Sequence, residues 1–389
     1  MAAPAAKLRA DRRHPGSPQF AEPAAPAEGC ANAQRRILPV SIPPLLGFLS
    51  WAYTLAITHA HEDTHDWLYT NFVLLVCNTD YLQPGKAFTL DFWRGGENEM
   101  LANNPFLEVR AVGYEDFLSL RDSLVPNLIK AIDQNFYPMV FVDESFLPYS
   151  STFGAGNFYS HHTLLYGYDT QENFFHALGF GSSGSGDVFG RFGPQRVSFR
   201  ELTAAAASMH VALQQRRIEE QLTYFLRLKK FGLDPIPPSF SFDLDVLRRS
   251  LMDYLEGRSY FGRLNHNMCN AVIGLRVYEQ LDRYFLLAEE GRMGADREDV
   301  RHLHILEDHK RLMVQRLRYL ANKNVAEPAD FKTLALAWQA LADKLYVAKL
   351  RAMRNSTSTA PRYCRAMRKL LREQMEGDAK LVTALLKLL

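Results

Sequence analysis

Near residue 215 the hydrophobic period of this chain changes from that of strands to that of helices, and this limits the folds open to it more than any other feature. Before the change, β-branched and aromatic runs stand between Gly, Asn, Asp and Pro turns: Phe72–Cys77, Phe88–Trp93, Leu107–Val112, Pro138–Asp143, Thr163–Asp169 and Phe174–Phe180. A short buried helix, Trp51–His59, precedes them. One amphipathic helix, Tyr114–Gln134, interrupts them, with Phe117, Leu120, Leu124, Leu128 and Ile132 at helical spacing. After the change a strand (Gln221–Leu228) gives way to long helical patterns: Leu244–Glu256 capped by Asp243, then Asn270–Glu290, Asp296–Asn322, Pro328–Arg354 and Pro361–Leu389. The expected fold class is therefore α+β, an α+β domain over 37–215 followed by a mainly helical domain over 216–389. The glycine-rich run from Gly179 to Gly193 lacks the Lys-Ser/Thr and the strand-to-helix junction of a phosphate loop, so a mobile connection is expected there.

Residues 1–36 hold eleven Ala, five Pro and six Lys or Arg but no continuous apolar stretch, which predicts a disordered tail rather than a secretory signal. Ile37–Ile57 is uncharged, yet Pro39, Pro43 and Pro44 break it, and what remains is short of the ~20 residues a bilayer needs. No membrane partner is expected. With 45 Lys and Arg against 43 Asp and Glu, the net charge of +2 does not supply a nucleic-acid-binding surface. Cys30, Cys77, Cys269 and Cys364 are far apart and form no CxxC pair, so the expected setting is a reducing cytoplasm.

Three constellations bear on chemistry. HEDTH, His61–His65, has the letters of the zinc-hydrolase HExxH, but Asp63, Thr64 and Asp66 belong to a cap or turn rather than a helix interior, and no third ligand follows. No metal and no cofactor are expected. YSHHTLLYGYD, Tyr159–Asp169, places a histidine at the mouth of an apolar strand, where a general base is both fixed and accessible; a surface or structural histidine is the other reading. The third is a basic run, Lys344, Lys349, Arg351, Arg354, Arg362, Arg365, Arg368, Lys369 and Arg372, with no acidic residue between Asp343 and Glu373. It is either a solvated helix face or a dock for an acidic partner.

The histidine strand and the preceding VDESFLPYS resemble the histidine region of papain-like bacterial proteins of the butirosin biosynthesis protein H type, and more distantly the bacteriocin-processing cysteine peptidases. NFVLLVC, PFLEVRAVGYEDF, FDLDVLRRSLMDYL and LEDHKRLMVQRLRYL resemble proteins encoded beside non-ribosomal peptide and polyketide assembly lines. The resemblance implies a papain-like N-terminal domain and, in H-x5-G-Y-D, a catalytic role for His161. It also implies a cysteine nucleophile at the start of the first buried helix, where this chain has Ser50. The expected oxyanion-holding glutamine falls at Pro44, and the acidic partner on the following strand at Gly179.

If Pro138–Asp143 and Thr163–Asp169 pair antiparallel, Asp143 lies near His161, and Ser50, His161 and Asp143 would form a serine triad. Cys77 is another nucleophile candidate, although the end of an apolar strand usually buries an inert thiol. The expected function is acyl transfer in natural-product biosynthesis, from a thioester on an acidic acyl or peptidyl carrier protein to a small-molecule acceptor. The alternative is a catalytically inactive papain-like protein that binds a carrier or an assembly-line intermediate.

Overall fold

Aromatic and aliphatic runs build the larger of the two antiparallel sheets found among the described residues of the computed structural model. It describes residues 34–84, 86–93, 104–113, 116–117, 123–181, 191–215, 222–229, 240–258, 270–292, 301–354 and 361–389. The expected disordered tail (except residues 34–36), most of the glycine-rich run, Cys30 and Cys269 lie outside the described residues. Among the described residues, seven strands form the large sheet: β1 (Arg35–Ile37), β4 (Leu107–Gly113), β5 (Tyr137–Asp143), β6 (Ser160–Asp169), β7 (Phe174–Gly181), β8 (Arg191–Ser198) and β9 (Leu222–Leu228). Their spatial order is β4-β9-β5-β6-β7-β8. β1 takes over from β5 along the later half of β6. Thus β9, on the far side of the expected boundary at residue 216, sits between β4 and β5 in this sheet.

Helices α3 (Leu124–Asp133) and α4 (Phe199–Gln214) pack on β5. α4, which the hydrophobic pattern did not reveal, starts at a capping box: Ser198 Oγ accepts from Glu201 N–H at 3.1 Å, and the Glu201 carboxylate accepts from Ser198 N–H at 2.8 Å. The smaller sheet runs β10 (Ala271–Ile273), β2 (Leu75–Asn78), β3 (Leu90–Phe92). The expected helix from Asn270 therefore begins as a strand. Gly274 turns it with φ 61°, and a Cβ there would lie 2.3 Å from the Tyr254 carbonyl oxygen, so only glycine fits before α6 (Arg276–Glu289).

α5 (Leu244–Glu256), α6, α7 (Arg301–Asn322), α8 (Pro328–Arg354) and α9 (Pro361–Leu388) form the helical part and share one hydrophobic core with the small sheet. α1 (Leu49–Thr58) lies between the two cores. Trp51 and Leu55 enter the helical core, while Ala52, Tyr53, Ala56 and Ile57 enter the core of the large sheet. Ser50 through Thr58 are all buried, which is why this segment carries no charge and its Thr54 and Thr58 hydroxyls donate to carbonyls of their own helix. α2 (His65–Thr70) ends against the buried Arg316 of α7, whose guanidinium donates to the carbonyls of Tyr69, Asn71 and Phe72. A cation there satisfies orphan carbonyls and the negative end of the helix dipole together. Among the described residues, no helix is long and apolar enough to cross a membrane.

Candidate functional site

His161 opens β6, and the carboxylate beside it is that of Glu144: Nδ1 lies 3.3 Å from Glu144 Oε1, with the imidazole 40% exposed. The other Glu144 oxygen accepts from Ser150 Oγ at 3.3 Å. β5 and β6 do pair antiparallel, but Val142 stands opposite His161 and Asp143 opposite Ser160. One residue of offset turns Asp143 to the other face of the sheet. Its buried carboxylate accepts from Ser145 N–H and Oγ, Tyr159 N–H and Ser208 Oγ of α4. Asp143 thus fixes the chain that carries Glu144 rather than touching His161 itself. The neighbouring His162 packs on Phe141 and Tyr224.

Ser50 occupies the first turn of α1 and is 8% exposed. One turn on, Tyr53 donates its hydroxyl to the His162 carbonyl at 2.9 Å, tying the start of α1 to the strand that carries His161. Burial, with Tyr149 and Glu144 nearby, pushes the Tyr53 phenol well above its ordinary range, so it remains a neutral donor. Just before α1, the N–H groups of Leu46 and Gly47 each donate at 2.7 Å to one oxygen of Asp308 on α7. Burial raises the Asp308 carboxyl, against the opposing pull of His304 and these two amides. Neither Glu144 nor Asp308 was picked out from the sequence. Glu144 opens the 3-10 turn after β5, so strand alternation does not assign it a face, and the Val142–His161 pairing that locates the site comes only from the register of the folded sheet.

Gly179, where the resemblance leads one to expect an acid, lies beneath the Tyr149 ring: a Cβ would sit 3.1 Å from it. Tyr149 in turn hydrogen-bonds Thr163 Oγ1 at 2.9 Å, and its burial, with Glu144 nearby, pushes its phenol up. Gly167, Tyr168 and Asp169 of the H-x5-G-Y-D pattern have fold roles. Gly167 admits β1, whose Arg36 carbonyl oxygen would be 2.5 Å from a Cβ there. Tyr168 donates to Asp133 at 2.7 Å, and Asp169 accepts from the N–H groups of Gln171 and Glu172 in the following turn.

HEDTH does not lie on one helix. His61 has an extended backbone, Glu62–Thr64 form a 3-10 turn, and His65 is the first residue of α2. His65 stacks on His59, and burial with this neighbour lowers His59 to about 4. Among the described residues, no group of three His, Cys, Asp or Glu is placed to hold a metal ion. Cys77 lies in β2, where burial pushes its thiol up to about 12, a poor setting for a thiolate.

Five of the nine residues of the basic run pair with carboxylates among the described residues. Arg365 pairs with Glu289, Arg368 with Asp282 and Glu289, and Arg372 with Asp282, both carboxylates standing on α6. Lys344 pairs with Glu373 and Lys349 with Glu307. Arg354 has no described side chain.

No protein-family model and no curated protein matches this chain.

Proposed function

We propose that this chain is a papain-like protein of natural-product biosynthesis, and that Ser50 and His161 move an acyl group from a carrier-bound thioester to a small-molecule acceptor. The observation that carries the reading is the His161–Glu144 contact at the mouth of a strand tied to the helix bearing Ser50. With Glu144 ionised, Nδ1–H donates to it and Nε2 is left as the base. Ser50 Oγ attacks the thioester carbonyl and its proton passes to Nε2. The C–S bond then breaks, and His161 returns the proton to the leaving thiolate. The acceptor's amine or hydroxyl attacks the acyl-serine by the reverse proton route.

One observation favours the second reading, a binding-only protein. Asp308 already fills the two amides ahead of α1, near where an oxyanion on a substrate of Ser50 would need stabilising.

Intact mass spectrometry after incubation with acyl-carrier thioesters separates the two. Transfer leaves an acyl mass on Ser50 that is lost in Ser50→Ala and His161→Ala. Glu144→Gln slows its formation by about a hundredfold or more at unchanged melting temperature. Asp143→Ala instead lowers stability by about 1–3 kcal/mol, because it leaves buried donors without an acceptor. Labelling that persists in Ser50→Ala discards the serine, and carrier binding without any acyl mass supports the binding-only reading.

A further inference from the structure

The chain between β5 and β6 closes on itself over residues 144–159. Glu144 N–H donates to the Tyr159 carbonyl at 2.8 Å, and the Asp143 carboxylate accepts from Tyr159 N–H, so the two ends are held together. Inside the loop, Gly154 N–H donates to the Ser145 carbonyl at 3.1 Å, which brings the backbones beside Phe153 and Phe146 together. Gly154 and Gly156 hold φ of 69° and 71°, with open space where a Cβ would stand, so the tip carries no bulk.

Three aromatic residues of this loop are turned to solvent: Phe146 is 40% exposed, Phe153 52% and Tyr159 47%. Single exposed apolar residues are ordinary on a protein surface; here three such rings stand on one short loop whose two ends are pinned together. Through Tyr159 and Glu144 the loop adjoins the candidate site directly. The Tyr159 ring lies 5.9 Å from the His161 ring, and the same loop supplies Glu144 to the imidazole. The loop holds no Lys, Arg or His, and its one charge, Glu144, is turned to His161 and Ser150. A carboxylated acyl group would meet Glu144 with no cation from the loop to offset it, whereas an apolar one would cover aromatic surface.

We propose that the 144–159 loop is the acyl-group subsite of the His161 centre and selects an uncharged apolar acyl chain. The proposal rests on the acyl-transfer reading of Ser50 and His161, and binding can be measured apart from transfer.

The probes are pantetheine thioethers, which cannot transfer their chain, bearing ethyl, butyl, hexyl, octyl or carboxypropyl groups, with binding to the full-length protein followed by calorimetry. Affinity is expected to rise about two- to threefold for each added methylene. The carboxypropyl probe is expected to bind at least about tenfold more weakly than butyl. Phe146→Ser with Phe153→Ser flattens the series at unchanged melting temperature, since both rings are exposed. Should that variant fail to fold, the wild-type series alone decides. A flat wild-type series overturns the subsite, even where Ser50 becomes acylated by a thioester donor. Chain-length-dependent binding with no acyl mass on Ser50 keeps the subsite and removes the transfer reading. A flat series with a concentration-dependent dimer that the double variant abolishes assigns these rings to a second copy of this chain and overturns the proposal.

Discussion

Lys310, Asp378 and His309 are each at most 1% exposed, and they meet where α5, α6, α7 and α9 converge. Asp378 accepts from Lys310 and from the hydroxyls of Tyr254 and Tyr278. Burial alone would raise its carboxyl; Lys310, His309 and these hydrogen bonds outweigh that and hold it below the usual range. His309 donates Nε2–H to the Val73 carbonyl at 3.0 Å, which leaves Nδ1 to accept from Lys310. Burial, then the Lys310 charge, lowers His309 to about 3. Since that value lies below the ordinary ~6.5 of an unfolded histidine, the unfolded chain takes up a proton that the native one refuses. Stability is therefore expected to fall as pH drops below about 6.5, with His309 contributing about 2 kcal/mol of loss between pH 7 and 5. Urea unfolding at both pH values checks this. His309→Gln should be less stable at pH 7 but lose less on acidification, and equal losses in both proteins would sink the assignment. His161 was singled out by the H-x5-G-Y-D resemblance, since a place before an apolar strand equally suits a surface or structural histidine. The carboxylate beside His161 is that of Glu144 and not of Asp143, because which face Asp143 occupies depends on a pairing register that neither strand encodes alone.

At the scale of elements, what a segment states locally was readable. Asp243 Oδ1 accepts from Val246 N–H at 2.9 Å as an N-cap, and Pro328 and Pro361 open α8 and α9 at their first helical positions. What depends on a distant partner was not. β1 and β10 are three-residue strands that exist because β6 and β2 offer them hydrogen bonds. β8 contains Gly193 and Pro194 and reads poorly as a strand, yet it pairs with β7 along its whole length. α4 is a different case, since its Ser198-x-x-Glu201 signature lay in plain view. The glycine of H-x5-G-Y-D tests how far such long-range pairing sets residue choice. Gly167→Ala places a Cβ 2.5 Å from the Arg36 carbonyl oxygen, which is backbone and has no rotamer by which to retreat. β1 must move off β6, and the expected cost is about 1–3 kcal/mol. Gly193→Ala is the control: its Cβ meets nothing within 4 Å, so its effect should stay within about 0.5 kcal/mol. Equal denaturant midpoints for the two variants would show that the close approach at Gly167 is not what excludes a side chain.

Over the whole molecule, the charge on one helix has to be judged against the helix it packs on. Taken alone, the run ending at Arg372 forms a basic face suited to an acidic carrier. α6 and α9 pack together, however, and Asp282 and Glu289 of α6 neutralise much of that face. Their carboxylates lie about eighty residues before the arginines they hold, so no window of sequence shows both. Arg362 and Lys369 remain exposed, while the Arg368 side chain is only 20% exposed. If this face steers a carrier, its charge and not its shape should set the association rate. Asp282→Asn with Glu289→Gln removes two negative charges from the face at little cost in stability, since partly exposed pairs contribute about 0–1 kcal/mol each. That variant should bind an acidic carrier several-fold faster at about 10 mM salt. Arg362→Gln with Lys369→Gln should bind it more slowly, and both differences should shrink as salt approaches ~0.15 M and the Debye length falls to ~8 Å. Stopped-flow rates that are the same for wild type and both variants at low salt would mean that α9 does not steer the carrier, and would move the search for its dock to the aromatic loop beside His161.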